Sequence, residues 1–273
     1  MYSLLLLDVK KTFLTSYHYT ILENNAKDKI LLQTLCEPFD DEILQTENLL
    51  VLADTDDAIA TWTAKKIPVI AWSHEKNKSE SLMGSPYMIL SLDALTLDYL
   101  EEIYCRDHGL PLTIVKTKRS VLRELTADDY TFLLALDDSQ PEDSAGRFFP
   151  YHLSKAEKAD YLRQYIKSQY PFYGFGIYGA FHRESQEFLG IAGFATTESS
   201  ELEVGYAVKK SARQKGYAFE WVSALIDYAR ETLCIQDIVA RISEDNLASL
   251  RLARKCSIRI LTISQSPHSH PLQ

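Results

Sequence analysis

Residues 211–230 read SARQKGYAFEWVSALIDYAR, and the fold turns on the knot RQKGYA inside this stretch. The knot is basic, contains Gly216 and stands directly before an apolar pattern of helical period. A helix N-terminus offers free backbone N–H groups and the positive end of a dipole. Small residues there let the backbone approach an anion. Gly216 and Ala218 are small, and Arg213 and Lys215 add positive charge. Taken alone, one glycine in a basic turn is also what a plain helix start looks like. No G-x-x-x-x-G-K-[ST] loop occurs in the chain.

Outward from the knot, the chain has 273 residues, enough for one large or two ordinary domains. With 46% hydrophobic and 25% charged residues it reads as a soluble globular protein. A formal net charge of −9 argues against nucleic acid as a partner, and leaves room for a local basic pocket. The apolar run at residues 4–7 is short and ends at Asp8, which fits a buried strand rather than a signal peptide or a membrane span. Cys36, Cys105, Cys234 and Cys256 lie far apart. They imply a reduced, cytoplasmic protein with no disulfide framework and no metal site. His268 and His270 read as solvated tail residues.

The N-terminal part alternates strands and helices. YSLLLLDV, NLLVLAD, IPVIAW and GSPYMIL read as strands, and DDAIATWTAKK and LDALTLDYLEEIYCRDHG as helices, the second ended by Gly109. NNAKDKILLQTLCEPFDDEILQ reads as helical or irregular. Continuous apolar strands between helices imply an α/β domain with a parallel, Rossmann-like sheet covered on both faces. LPLTIVKTKRS reads as a connector, which sets the domains at residues 1–112 and 113–273. The second part is α+β. It has a strand VLRELT, a helix start capped by Thr126, an irregular stretch at residues 137–152, and a helix capped by Ser154. Three strands follow: YGFGIYGAFHR, EFLGIAGFATT and ELEVGYAV. After them come a helix over residues 219–233, the strand DIVARIS, and the helix NLASLRLARK capped by Asp245 or Asn246.

The order of these pieces resembles the GNAT superfamily of acyl-CoA-dependent N-acetyltransferases, over roughly residues 121–255. The anchor is the family's [RQ]-x-x-G-x-[GA] loop, matched by Arg213, Gly216 and Ala218. FLGIAGF, LEVGYAV and EDNLASLRLARK support it in the right order, and YGFGIYGAF and LEVGYAV look most like the ribosomal-protein N-acetyltransferase branch. The resemblance implies acetyl-CoA as cofactor, its pyrophosphate held by the backbone of Arg213, Gln214, Lys215, Gly216, Tyr217 and Ala218. It implies that Ala207 and Val208 pair with the pantetheine arm, and that an N–H near Tyr206 or Ala207 stabilises the carbonyl oxygen. Asn246 would touch the cofactor or a catalytic water, and Ser249 the cofactor. Acyl transfer to an amine gains from a base, because a lysine-type amine has a pKa of about 10.4. Glu203 is the candidate base, and Glu201 shares its strand face by period two. For Ala207, Val208, Asn246 and Glu203 the plain alternatives are strand residues, a helix cap and a solvated carboxylate.

Three departures from the family pattern stand out. Aligning RLARKCSI with R-L-Y-E-K-x-G-F puts Ala253 at the family's tyrosine, a general acid, and Ser257 and Ile258 at its Gly-Phe. IRILTIS is one closing strand where the family has two, so a partner subunit in a homodimer could supply the other. The acceptor amine should meet residues 137–152, with Arg147, Phe148, Phe149 and Tyr151 as candidates, though core or lid packing is the favoured role for these four.

The stretch from residue 51 to 95 resembles part of a haloacid-dehalogenase-like domain, with Asp54, Asp56 and Asp57 at its magnesium end. The matching D-x-D-x-T would be DVKKT from Asp8, where Lys10 replaces the second Asp, so a noncatalytic domain is the expectation. The function implied is acetyl transfer from acetyl-CoA to an amine in a ternary complex. The alternatives are an acyl-CoA-binding module without turnover and a Mg-dependent phosphohydrolase acting through the N-terminal Asp cluster.

Overall fold

The computed structural model describes residues 4–9, 31–34, 48–140, 147–197 and 201–263. Lys10, Cys36, His268, His270 and residues 141–146 of the irregular stretch lie outside the described residues. The chain divides into two compact units, Met1–Leu110 and Pro111–Gln273.

The first unit is built on β1 (Leu4–Asp8), β2 (Leu31–Thr34), β3 (Leu49–Ala53), β4 (Val69–Trp72) and β5 (Tyr87–Ile89), all parallel, in the order β2-β1-β3-β4-β5. The strand β2 falls in a segment whose sequence pattern gave helix or irregular chain. The unbroken apolar runs follow from burial on both faces. Leu49, Val51 and Ala53 pack with Ile59 and Trp62 of α1 (Asp56–Ala64). Leu50 and Leu52 turn the other way, onto Leu100 and Ile103 of α2 (Leu97–Asp107). The long helix expected over residues 92–109 is split. A 3-10 turn, Leu92–Ala94, ends before Thr96, whose hydroxyl accepts the Tyr99 N–H at 3.2 Å and starts α2 afresh. Both Asp56 carboxylate oxygens tie a loop, accepting the N–H groups of Ser81 and Leu82 at 2.9 and 2.7 Å. Buried Asp54 contacts His74 at 3.3 Å. Among the described residues no group of three or more His, Cys, Asp or Glu side chains is placed to hold a metal.

Among the described residues the second unit forms a seven-stranded sheet in the order β12-β11-β10-β9-β8-β7-β6. Its strands are β6 (Thr113–Lys116), β7 (Ser120–Glu124), β8 (Ile177–His182), β9 (Phe188–Thr196), β10 (Leu202–Val208), β11 (Ile238–Ser243) and β12 (Arg259–Ile263). From β6 to β10 neighbours are antiparallel; β10, β11 and β12 are parallel. The stretch expected as a connector therefore contains β6, an edge strand whose β-branched Thr113, Ile114 and Val115 suit a pleated surface. Helices α3 (Tyr130–Asp137), α4 (Lys155–Tyr173), α5 (Tyr217–Glu231) and α6 (Leu247–Lys255) cover the faces. The helix expected over residues 219–233 begins at Tyr217, two residues earlier, and ends at Glu231.

Residues of β10 alternate between the two faces, as a pleated strand requires. Leu202 and Val204 join Trp221, Val222 and Leu225 of α5 in one core. Ala207 joins Leu133 and Leu136 of α3 and Leu162 of α4 in another. Gly190 of β9 must be glycine. It sits at φ 152, and a Cβ there would fall 2.1 Å from the Ala207 carbonyl oxygen. Gly174, Gly176 and Gly179 have the spacing G-x-G-x-x-G, but they run from the end of α4 into β8. A phosphate-binding glycine loop runs the other way, from strand to helix. Among the described residues no helix is long and apolar enough to cross a membrane.

Candidate active site

The sheet forks between β10 and β11. On one side β10 pairs with β9 along its whole length, from Leu202 opposite Thr196 to Val208 opposite Gly190. On the other side it pairs with β11 at two positions only, Leu202 with Ile238 and Glu203 with Val239. Meanwhile β11 stays paired on its far edge with β12, from Val239 to Ser243. Both strands are held from outside while their inner edges part.

Direction along β10 decides what the fork exposes. The Leu202 N–H donates to the Asp237 carbonyl, toward β11, whereas the Lys209 N–H donates to Leu189, toward β9. Alternate residues point the same way, so the backbone groups of Tyr206 and Val208 face the fork and those of Ala207 face β9. The Tyr206 hydroxyl reaches Ser249 Oγ in the first turn of α6 at 2.9 Å. Burial pushes the Tyr206 phenol above its ordinary pKa, so it stays protonated near neutrality.

Glu203 sits where the ladder stops. It is 4% exposed, and its carboxylate accepts the Arg241 backbone N–H. Arg241 Nε lies 3.3 Å from Oε2, a charge contact without hydrogen-bond alignment. Burial raises the Glu203 pKa above the usual carboxylate value, and the Arg241 charge and N–H offset part of that rise. Glu201, its partner by period two, is instead ion-paired with Arg259.

The knot closes the open end of β10. Arg213 turns back, its Nε donating to the Val208 carbonyl at 3.0 Å. Gln214 at φ 61 and Gly216 at φ 83 both take left-handed backbone, which glycine accepts freely and glutamine does not. Gly216 is the N-cap of α5 and brings no capping side chain. Among the described residues none accepts a hydrogen bond from the N–H groups of Tyr217, Ala218 or Phe219. That leaves a free, positively polarised turn at the mouth of the fork. Gln214 and Lys215 are exposed, so their side chains point to solvent. Asn246 caps α6, its Oδ1 accepting the Ser249 N–H at 3.1 Å, the role of an ordinary helix cap.

Three residues that the sequence pattern did not single out hold the knot in place. Glu220, one turn into α5, accepts hydrogen bonds from Thr117 Oγ1, the Arg119 N–H and Arg119 Nε at 2.5, 2.8 and 2.7 Å. Arg119 also donates through a terminal nitrogen to the Lys215 carbonyl at 3.0 Å, and its guanidinium lies 4.3 Å over the Tyr217 ring. Burial acts to raise the Glu220 pKa, but the hydrogen bonds from Thr117 and Arg119 outweigh it and hold the carboxyl below its ordinary value. Thr117 and Arg119 lie in the turn between β6 and β7, about a hundred residues before Glu220, so no local pattern pairs them.

Of the acceptor candidates, Arg147, Phe148 and Phe149 are buried, the two aromatics in the α3–α4 core. Asp137 fixes them by accepting the Phe148 and Phe149 N–H groups at 2.8 and 2.9 Å. Tyr151 is exposed. Ala253 is buried in the core of the second unit and offers no proton, and Ser257 takes φ 55, the left-handed turn that a glycine would occupy without strain.

Residues 119–259, which are 141 of 273, match the acetyltransferase (GNAT) domain family. The uncharacterized N-acetyltransferase YjdG of Bacillus subtilis is 29% identical over 116 residues, 42% of this chain and 68% of the relative. YoaA of the same organism, also an uncharacterized N-acetyltransferase, is 26% identical over 145 residues, 52% of this chain and 80% of the relative. A putative GNAT-family acetyltransferase from Bordetella pertussis overlays with a TM-score of 0.45 at 26% identity, covering 52% of this chain and 86% of its own. The chain belongs to the GNAT acetyltransferase domain family, and is an acyltransferase whose family match lies within its second unit.

Proposed function

We propose that the protein transfers an acetyl group from acetyl-CoA to a primary amine by direct attack in a ternary complex. The observation that carries this is the fork: β10 and β11 share two rungs and then part, with the uncapped start of α5 at the mouth. A strand-like pantetheine arm fits an edge whose N–H and C=O groups face an open gap, and a pyrophosphate fits free N–H groups at a helix start. Bound acetyl-CoA supplies the activated acetyl thioester.

The chain's own residues then divide the work. Backbone N–H groups of residues 214–218 would hold the pyrophosphate, while the Arg213 N–H is kept by the Lys210 carbonyl at 3.4 Å and the Arg213 side chain shapes the loop rather than reaching outward. The inner edge at Tyr206 and Val208 aligns the arm. The Tyr206 N–H is the donor best aimed at the carbonyl oxygen, since Ala207 faces β9. Ser249, hydrogen-bonded to Tyr206, would flank the arm, and Asn246 keeps Ser249 in place. Glu203 takes the proton from the attacking amine, directly or through one water; its raised pKa makes it a better base than a solvated glutamate. The first unit serves as a noncatalytic, haloacid-dehalogenase-like domain of a cytoplasmic protein, which could assemble as a homodimer.

One observation favours a second reading, an acyl-CoA-binding module without turnover: the Glu203 carboxylate is already engaged by Arg241. Calorimetry with acetyl-CoA tests both readings. Thiol release over a panel of protein N-termini, polyamines and amino sugars, with Glu203→Gln beside wild type, then separates them. Binding without thiol release from any amine would leave the module.

A further inference from the structure

We infer that Arg119 is a positioning residue that aims the backbone of the knot at the cofactor's phosphates, an inference that rests on the acetyl-CoA reading above. The Lys215 carbonyl points at Arg119, held at 3.0 Å by one terminal nitrogen. In a trans peptide the C=O and the following N–H point in opposite directions. The same bond therefore turns the Gly216 N–H away from Arg119, and like the N–H groups of Tyr217 and Ala218 it meets no acceptor among the described residues. The other terminal nitrogen lies 3.6 Å from where a Gly216 Cβ would stand, so the guanidinium backs the loop rather than filling its mouth.

The loop needs such a tie. Two of its residues, Gln214 and Gly216, are in left-handed backbone, and a strained turn keeps its shape only when its surroundings fix it. Arg119 is itself fixed at three points: Nε on Glu220 at 2.7 Å, backbone N–H on the same carboxylate at 2.8 Å, and the guanidinium face on Tyr217. Glu220 adds Thr117 at 2.5 Å. The turn between β6 and β7 and the first turn of α5 thus form one closed circuit around the knot. Only a planar fork can serve Glu220 and the Lys215 carbonyl together; a lysine ammonium at the same place reaches one.

The test is equilibrium binding of acetyl-CoA to the full chain, with steady-state kinetics on any amine that wild type accepts. Arg119→Ala should raise the acetyl-CoA Kd about tenfold, the loss of one charge-assisted hydrogen bond. Arg119→Lys should raise it nearly as much, although the charge is kept. Glu220→Gln, which preserves the shape of α5, should raise it in the same direction by a smaller factor. Turnover at saturating acetyl-CoA and the KM for the amine should stay within about twofold, a split that general destabilisation would not give. Wild-type affinity in Arg119→Ala, or full rescue by lysine, overturns the inference while the acetyl-CoA reading stands. A wild-type chain that binds no acetyl-CoA overturns that reading and this inference with it.

Discussion

Glu203 stands opposite Val239 on the last rung that β10 and β11 share, and its carboxylate takes the backbone N–H of Arg241, two residues further along β11. In a continued parallel ladder that N–H would bond back to β10. The side chain thus ends the pairing at the position where the proposed chemistry needs a base.

If Glu203 is that base, activity should rise as the carboxyl loses its proton, at a pH above the usual glutamate range because burial raises its pKa. Glu203→Gln should lower kcat by about a hundredfold and remove that limb of the pH–rate profile. A profile unchanged in shape in the glutamine variant would exclude the role.

Gly216 and Lys215 separate backbone from side-chain recognition. Gly216→Val forces a branched residue into φ 83 at the start of α5 and should weaken acetyl-CoA binding by tenfold or more, roughly the cost of left-handed backbone. Lys215→Ala removes an exposed charge and should change the Kd by less than about threefold. Titration calorimetry on both variants decides it, and the reverse ranking would point to side-chain capture of the phosphates.

Acid should loosen the tie around the knot. The Glu220 carboxyl is held below its ordinary pKa, so its contribution to stability is full above the unfolded-state value near 4.3. That contribution is lost as pH falls through the depressed folded value. Unfolding midpoints measured from pH 6 to pH 3 should therefore drop less steeply in Glu220→Gln than in wild type.

Two backbone positions give stability effects of opposite sign. Ser257→Gly relieves φ 55 after α6 and should stabilise the protein by about 1 kcal/mol in urea unfolding. Gly190→Ala drives a methyl group into the Ala207 carbonyl and should destabilise it by about 3 kcal/mol, with β10 shifted.

The sequence was most legible where one local device carried the information. The apolar runs of β3 and β4, the Ser154 cap and the small residues at Gly216 and Ala218 each state their structure within a few positions. Asn246 was readable as a cap for the same reason. What stayed hidden is non-local. Nothing in TIVK says that it pairs with β7 rather than linking two domains, and β2 is a four-residue strand inside a segment of mixed pattern. The Arg119–Glu220 pair spans 101 positions, and the turning of Ala207 away from the fork follows from register with β9, not from its own chemistry.

A sheet that parts after two rungs is an unfinished piece of secondary structure. The strand-shaped molecule that enters it would complete hydrogen bonds the polypeptide leaves open, so loading would tighten the fold as well as start the reaction. Melting temperature should then climb with acetyl-CoA concentration by simple mass action, and amide exchange at Tyr206 and Val208 should slow first.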